Sequence, residues 1–89
     1  MEKIMTIKNR MGLHARPAAM FVQEAGKFKS QIFVVKDGLQ VNGKSVMGLM
    51  LLAAESGSKL TIKADGPDEA KAIEALEKLF ERKFDEEGR

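Results

Sequence analysis

Asp37-Gly38 stands between two β-patterned segments, Gln31–Lys36 and Leu39–Val41. An Asp-Gly pair in that setting is the strongest short signal for a hairpin, because both positions accept the positive φ that a tight two-residue turn needs. The first of these segments is rich in β-branched residues, and Asn42-Gly43 supplies a further turn after the second. The chain has 89 residues, which suffices for one core and not for two, so a single domain over 1–89 is expected. It has no cysteine, which excludes disulfides, thiolate metal sites and cysteine nucleophiles.

Strand and helix patterns alternate around the hairpin. Met5 and Ile7 alternate with polar residues over Lys3–Ile7, a strand of period two. Asn9–Ala15 contains Gly12 and no period, and reads as a loop. Pro17 suits the first turn of a helix, where its missing N–H is no loss. Ala18, Phe21, Val22 and Ala25 follow at helical spacing, and Gly26 marks the stop. Ser45 takes the N-cap position of a helix running from Val46 to about Ala54, with Gly57 ending that segment. Lys59–Ala64 alternates again, with Leu60 and Ile62 on one face. Gly66 and Pro67 open the last helix, Asp68 and Glu69 favour its positive end, and Ala72, Ile73, Leu76, Leu79 and Phe80 form its buried stripe. Glu74 and Lys78 make an i,i+4 pair on its wet side. Asp85–Arg89 is expected to fray. The order β-α-β-β-α-β-α predicts an antiparallel sheet with helices packed on one face, an α+β class.

Several functions are excluded by what is missing. Fifteen basic residues face thirteen acidic ones, and the basic residues are dispersed. With no Trp or Tyr and five Phe, nothing forms a stacking groove for nucleic acid. No apolar run approaches ~18 residues, so no membrane insertion is expected. Met1-Glu2-Lys3-Ile4-Met5 lacks the apolar stretch of a signal peptide, so a cytoplasmic location is expected.

His14 is the only histidine, and it stands just before Arg16 and Pro17 at a helix start. A lone histidine there is ordinarily a surface or capping residue. No Ser or Cys nucleophile with a carboxylate lies nearby for a triad, and only carboxylates remain as further metal ligands, so neither metal nor cofactor is expected. The position changes that reading. A helix N-terminus presents free backbone N–H groups and a positive dipole end, a field that favours a neutral, nucleophilic ring and stabilises an anion placed on it. Arg16 adds a planar donor fork suited to phosphate oxygens. Gly12 gives the preceding loop its freedom. The constellation suits a histidine that accepts and donates a phosphoryl group.

Two further features compete for attention. Gly38-Leu39-Gln40-Val41-Asn42-Gly43-Lys44-Ser45 satisfies the phosphate-loop pattern. Its interior reads as strand, both glycines serve turns, and no continuous apolar strand ends in a magnesium-binding acid, so a nucleotide-binding protein is the distant alternative. Val46–Ala54 is apolar nearly all round. Leu49, Leu52 and Ala53 are expected to face the sheet. Met47, Met50 and Leu51 then fall on the other side, with Met20 on the exposed face of the first helix. Methionine suits a surface that must fit several partners, so these four residues are the candidate docking patch.

Gly12-Leu13-His14-Ala15-Arg16-Pro17-Ala18 resembles the active-site signature of the HPr family, phosphocarriers of the bacterial phosphotransferase system. Lys44-Ser45-Val46-Met47-Gly48-Leu49 resembles that family's second signature, around a regulatory serine. The resemblance covers nearly the whole chain. It implies an open-faced β-sandwich, a four-stranded antiparallel sheet covered by three helices. It implies a monomeric carrier rather than an enzyme: His14 takes a phosphoryl group from phospho-enzyme I and passes it to enzyme IIA domains, with Arg16 stabilising the phosphate. The docking patch is where such partners meet the family. Ser45 is implied as the substrate of an HPr kinase/phosphorylase, creating a complex with a transcription regulator. Met11 stands where many sugar-branch members have a small polar residue, which removes a polar contact beside the histidine. Asn9-Arg10-Met11-Gly12-Leu13-His14, Gly66-Pro67-Asp68-Glu69 and Phe84-Asp85-Glu86-Glu87 resemble the nitrogen-related branch, so a purely regulatory carrier is the nearer alternative.

Overall fold

The computed structural model describes residues 1–86. Its elements are β1 (Glu2–Thr6), α1 (Ala15–Ala25), β2 (Gln31–Lys36), β3 (Leu39–Asn42), α2 (Val46–Leu51), β4 (Lys59–Asp65) and α3 (Glu69–Glu81), followed by a 3-10 turn at Lys83–Asp85. The strands form one antiparallel sheet in the order β1-β4-β2-β3. Asp37 and Gly38, at φ 51° and 84°, make the tight turn between β2 and β3 that their sequence predicts.

Register follows from which side chains shun water. Met5 lies opposite Leu60, and Val34 lies opposite both Ile62 and Val41, so one face of the sheet is apolar throughout. The three helices cover that face with Phe21 from α1, Leu49 from α2 and Leu76, Leu79 and Phe80 from α3, all buried. Phe21 meets Phe80 edge to face at 6.2 Å. Fully burying one such side chain contributes roughly 1.5–3 kcal/mol. The opposite face, with Ile4 and Lys59, stays open to solvent. The predicted open-faced α+β sandwich is what forms. Leu39–Asn42 is a paired strand, so the phosphate-loop pattern wraps no anion.

Several local expectations are corrected. β1 and β4 each differ from the predicted range by a residue, and Asn42 belongs to β3 rather than to a turn. α1 begins two residues before Pro17, which still falls in its first turn. Gly26 follows α1 in right-handed geometry, so it ends the helix without the left-handed cap expected of glycine. α2 stops at Leu51, three residues short of Ala54. There the Leu52 and Ala53 N–H groups turn back to carbonyls three residues earlier, and Ala53 adopts φ 49°. That reversal sends Ala54 into the core and leaves Ala53 exposed rather than facing the sheet. The tail is corrected too: Glu86 is bonded to Asn9 and Met11, and Asp85 pairs with Arg82 in the turn after α3, while Glu87–Arg89 lie outside the described residues.

Asp68 precedes α3 but makes no side-chain cap. Its carboxylate instead accepts the Ser30 hydroxyl at 2.6 Å, the Lys29 N–H at 2.9 Å and the Ser30 N–H at 3.0 Å. This ties the loop after α1 to the start of α3. Gly66 completes the junction, since a Cβ there would lie 2.6 Å from the Ser30 Cα. The Ser30 hydroxyl bond first, then the backbone donors, hold the Asp68 carboxyl at about 2, against the ordinary 3.8. A carboxyl depressed on folding stabilises the fold above its unfolded value, and that contribution disappears as pH falls through the folded value. The stability difference between the native chain and Asp68→Asn should therefore be full at neutral pH and shrink between about pH 4 and pH 2. Thermal unfolding across that range measures it, and a difference that is constant with pH would show the carboxylate charge to be irrelevant.

Candidate functional site

The loop between β1 and α1 is pinned at both sides. Ile7 exchanges backbone hydrogen bonds with Ser58 and Gly57, and the Leu13 N–H donates to the Ala54 carbonyl at 2.9 Å. Gly12 makes the approach feasible. It sits at φ 75°, and a Cβ there would lie 2.6 Å from the Ala54 oxygen. Leu13 is buried, so the next residue turns outward.

That residue is His14. It occupies the N-cap of α1 in extended geometry, its carbonyl accepts the Ala18 N–H at 2.9 Å, and its ring makes no capping bond. The side chain is 43% exposed. Because Pro17 has no N–H, the free backbone donors of the first turn are those of Ala15 and Arg16. Arg16 is exposed, and its Nη1 donates to the Phe84 carbonyl at 3.3 Å. His14 and Arg16 thus share one helix start, as their spacing predicts.

Sequence reasoning missed two residues here. Glu86, from the segment expected to fray, accepts the Met11 N–H through Oε1 at 3.2 Å and the Asn9 Nδ2 through Oε2 at 3.4 Å. Its Oε2 lies 3.6 Å from His14 Nε2. Partial burial works to raise the Glu86 carboxyl, but hydrogen bonds from Met11, Asn9, Arg10 and His14 outweigh it and hold the group below the usual carboxylate range. Asn9, fully buried, also donates to the Gly12 carbonyl at 2.7 Å, while its Oδ1 has no partner among the described residues. Asn9 and Glu86 supply polar contacts beside the histidine although the Met11 side chain, 65% exposed, supplies none.

Phe84 explains why the tail returns. It is fully buried and packs on Phe80 at a ring separation of 5.1 Å. Lys83, Phe84 and Asp85 all take left-handed backbone angles of 52–57°, a conformation costing roughly 1–2 kcal/mol per residue. Burial of Phe84 offsets part of that strain. The one legible signal was spacing: Phe84 follows Phe80 by four residues and continues the stripe of α3.

Ser45 is the N-cap of α2, its hydroxyl accepting the Gly48 N–H at 3.0 Å. Among the described residues no hydrogen bond joins it to His14 or Arg16. Beside it Met47 and Leu51 are 81% and 72% exposed, and Met50 is exposed as well. Met20 departs from expectation: it is half-buried against the core, not on an open face. Among the described residues no group of three or more potential ligands is placed to hold a metal ion, and no helix is long and apolar enough to cross a membrane.

An open-faced α+β sandwich with a histidine at the start of its first helix is the architecture of a small phosphocarrier domain. The family model described as "PTS HPr component phosphorylation site" matches residues 1–82. The chain is 51% identical over 85 residues to the phosphocarrier protein HPr of Treponema pallidum, covering 96% of this chain and 97% of that one. It is 54% identical over 81 residues to the HPr-like protein Crh of Halalkalibacterium halodurans, covering 91% and 96%. Among solved structures, HPr of Thermoanaerobacter tengcongensis superposes with a TM-score of 0.94 at 54% identity, covering 98% of each chain. Crh of Bacillus subtilis, solved as a dimer with a swapped domain, gives 0.76 at 50% identity, covering 83% and 85%. The chain belongs to the HPr family of phosphotransferase-system phosphocarriers. These relatives are HPr and Crh proteins and lend the nitrogen-related branch no support. Nor does the Crh dimer favour the expected monomer.

Proposed function

We propose that the chain is a carrier that takes a phosphoryl group onto His14 from phospho-enzyme I and delivers it to enzyme IIA domains, in the cytoplasm. The observation that carries this reading is the exposed His14 ring at the N-cap of α1, beside two backbone N–H groups without intrahelical partners. A phosphoryl group on the ring would meet those donors and the positive end of the helix dipole. Arg16 would stabilise the moving phosphate with its guanidinium, which the Phe84 carbonyl holds near the helix start. The exposed apolar side chains of Met47, Met50 and Leu51 would receive donor and acceptors in turn, with the half-buried Met20 at most a minor contributor.

Incubation with enzyme I and labelled phosphoenolpyruvate tests the assignment. The label should be acid-labile and base-stable, as a phosphoramidate is, and His14→Ala should abolish it while leaving the circular dichroism unchanged. Labelling that survives in the variant would refute the role of His14. Arg16→Lys keeps the charge but loses the fork, so transfer should slow by ~10-fold or more in both directions. Equal rates would leave the backbone donors as the sufficient anion site.

A regulatory reading is compatible with carriage and is supported by the placement of Ser45. An N-cap hydroxyl is where a helix best tolerates phosphate, and here it adjoins the exposed Met47. Modification by an HPr kinase/phosphorylase would put about −2 charge into an apolar docking surface, weaken the meeting with enzyme I and favour a transcription regulator instead. Ser45→Ala should lower stability by ~1 kcal/mol through loss of the cap. Ser45→Asp should keep the helix yet be phosphorylated at His14 more slowly than Ser45→Ala. Equal rates in the two variants would reduce Ser45 to a cap.

A further inference from the structure

We infer that Met47 and Met50 form a reversible oxidation site, where peroxide converts thioether to sulfoxide and so loosens the docking of enzyme I. The inference rests on the carrier reading and adds to it a regulation that acts through neither His14 nor Ser45.

The chain has no cysteine, so no thiol draws off an oxidant first. That leaves the methionine thioether as its two-electron target. Six methionines are available, and the fold sorts them by access. Met5 is 4% exposed within the core, and Met20 is half-buried against it. Met47 and Met50 are 81% and 45% exposed, three positions apart on one face of α2. Met1 and Met11 are open as well, Met1 before β1 and Met11 in the loop before α1. Among the six, only Met47 and Met50 share an element, and the exposed Leu51 stands beside them. Leu49, between the two, is sealed into the core, and the Ser45 hydroxyl caps the helix, so α2 is held by groups that peroxide does not touch.

The chemistry is a two-electron oxygen transfer. The sulfur lone pair attacks one peroxide oxygen, an S–O bond forms and the O–O bond breaks. The departing hydroxide takes the proton of the transferred oxygen and leaves as water. Sulfur loses two electrons and peroxide gains them. A reductase with a thiol reductant reverses the change: the oxygen leaves as water and two thiols become a disulfide. The sulfoxide turns a flexible apolar side chain into a polar one. On the free chain its oxygen stays hydrated. Against an apolar partner surface it sheds that water without a replacement, which penalises the complex and not the fold. Leu51 is not oxidised and keeps part of the contact, so docking weakens rather than vanishes.

The full chain is treated with hydrogen peroxide, freed of it before enzyme I is added, and mapped by peptide mass spectrometry. Met47 and Met50 should be converted well before Met5, with circular dichroism unchanged. Phosphorylation from enzyme I should then fall about tenfold in kcat/KM. Phosphorylation by inorganic phosphoramidate, which needs no docked protein, should keep its rate. Methionine sulfoxide reductases should restore transfer. Met47→Leu/Met50→Leu retains Met1 and Met11 as targets, and its rate from enzyme I, compared with its own untreated rate, should be insensitive to peroxide. Conversion of Met5 as early as Met47 and Met50, or a transfer rate unchanged once both are sulfoxides, overturns the inference. So does a loss that the reductases do not reverse, or an equal loss with phosphoramidate or in the leucine variant. An untreated chain that enzyme I leaves unlabelled refutes the carrier reading, and the order of oxidation still decides whether Met47 and Met50 are the site.

Discussion

The hydrogen bond from the Leu13 N–H to the Ala54 carbonyl joins the two loops on which the rest of the site depends. One loop carries His14 to the start of α1. The other leads from α2, with its exposed apolar residues, into β4. The bond forms because Gly12 has no Cβ to strike the Ala54 oxygen and because Ala53 reverses the chain just after α2. Leu13 and Ala54 are both buried beside it, which shields the bond from water. A histidine that must present one atom to different partners needs such a support, since a mobile loop would spend binding energy on ordering itself.

The second constraint is the return of the C-terminal segment. Three consecutive residues in left-handed geometry are unfavourable for any L side chain, and nothing local favours them. Burial of Phe84 against Phe80 supplies the reason, and a carboxylate and a backbone carbonyl are carried to the helix start as a result. Asn9 and Glu86 are 77 positions apart and meet beside His14. The donors that converge on Glu86 hold its carboxyl below the usual range and keep the negative charge in place despite partial burial.

α2 divides its residues between two tasks. Leu49 is sealed into the core, while Met47 and Leu51 stay in water although the chain has buried most of its other large apolar side chains. Apolar side chains left together on an otherwise polar surface mark a place where something docks. Ser45 stands at the start of the same helix, so a charge added there alters the surface without disturbing the sheet.

Local pattern was enough for most of the architecture. Period-two alternation marked β1 and β4, Asp37-Gly38 placed the hairpin, and Pro17 and Ser45 marked two helix starts, because each of these depends on backbone chemistry within a few residues. His14 and Arg16 were legible for the same reason: a helix start is a local object. The end of α2 was not legible, since the apolar pattern continues to Ala54 while the chain reverses at Ala53, where Ala54 enters the core and meets the Leu13 N–H. Asp68 read as a charge favouring the positive end of α3 and became a cross-link to Lys29 and Ser30, because a carboxylate accepts from whichever donors the fold brings nearest. Met20 looked exposed and is covered by packing that its own helix does not reveal. Glu86 was read as frayed because its neighbours in sequence say nothing about Asn9, Met11 or His14. Pairings within a turn or a hairpin are written in adjacent residues, whereas these four outcomes follow from long-range packing, in which burial of one side chain decides where the polar groups beside it must go.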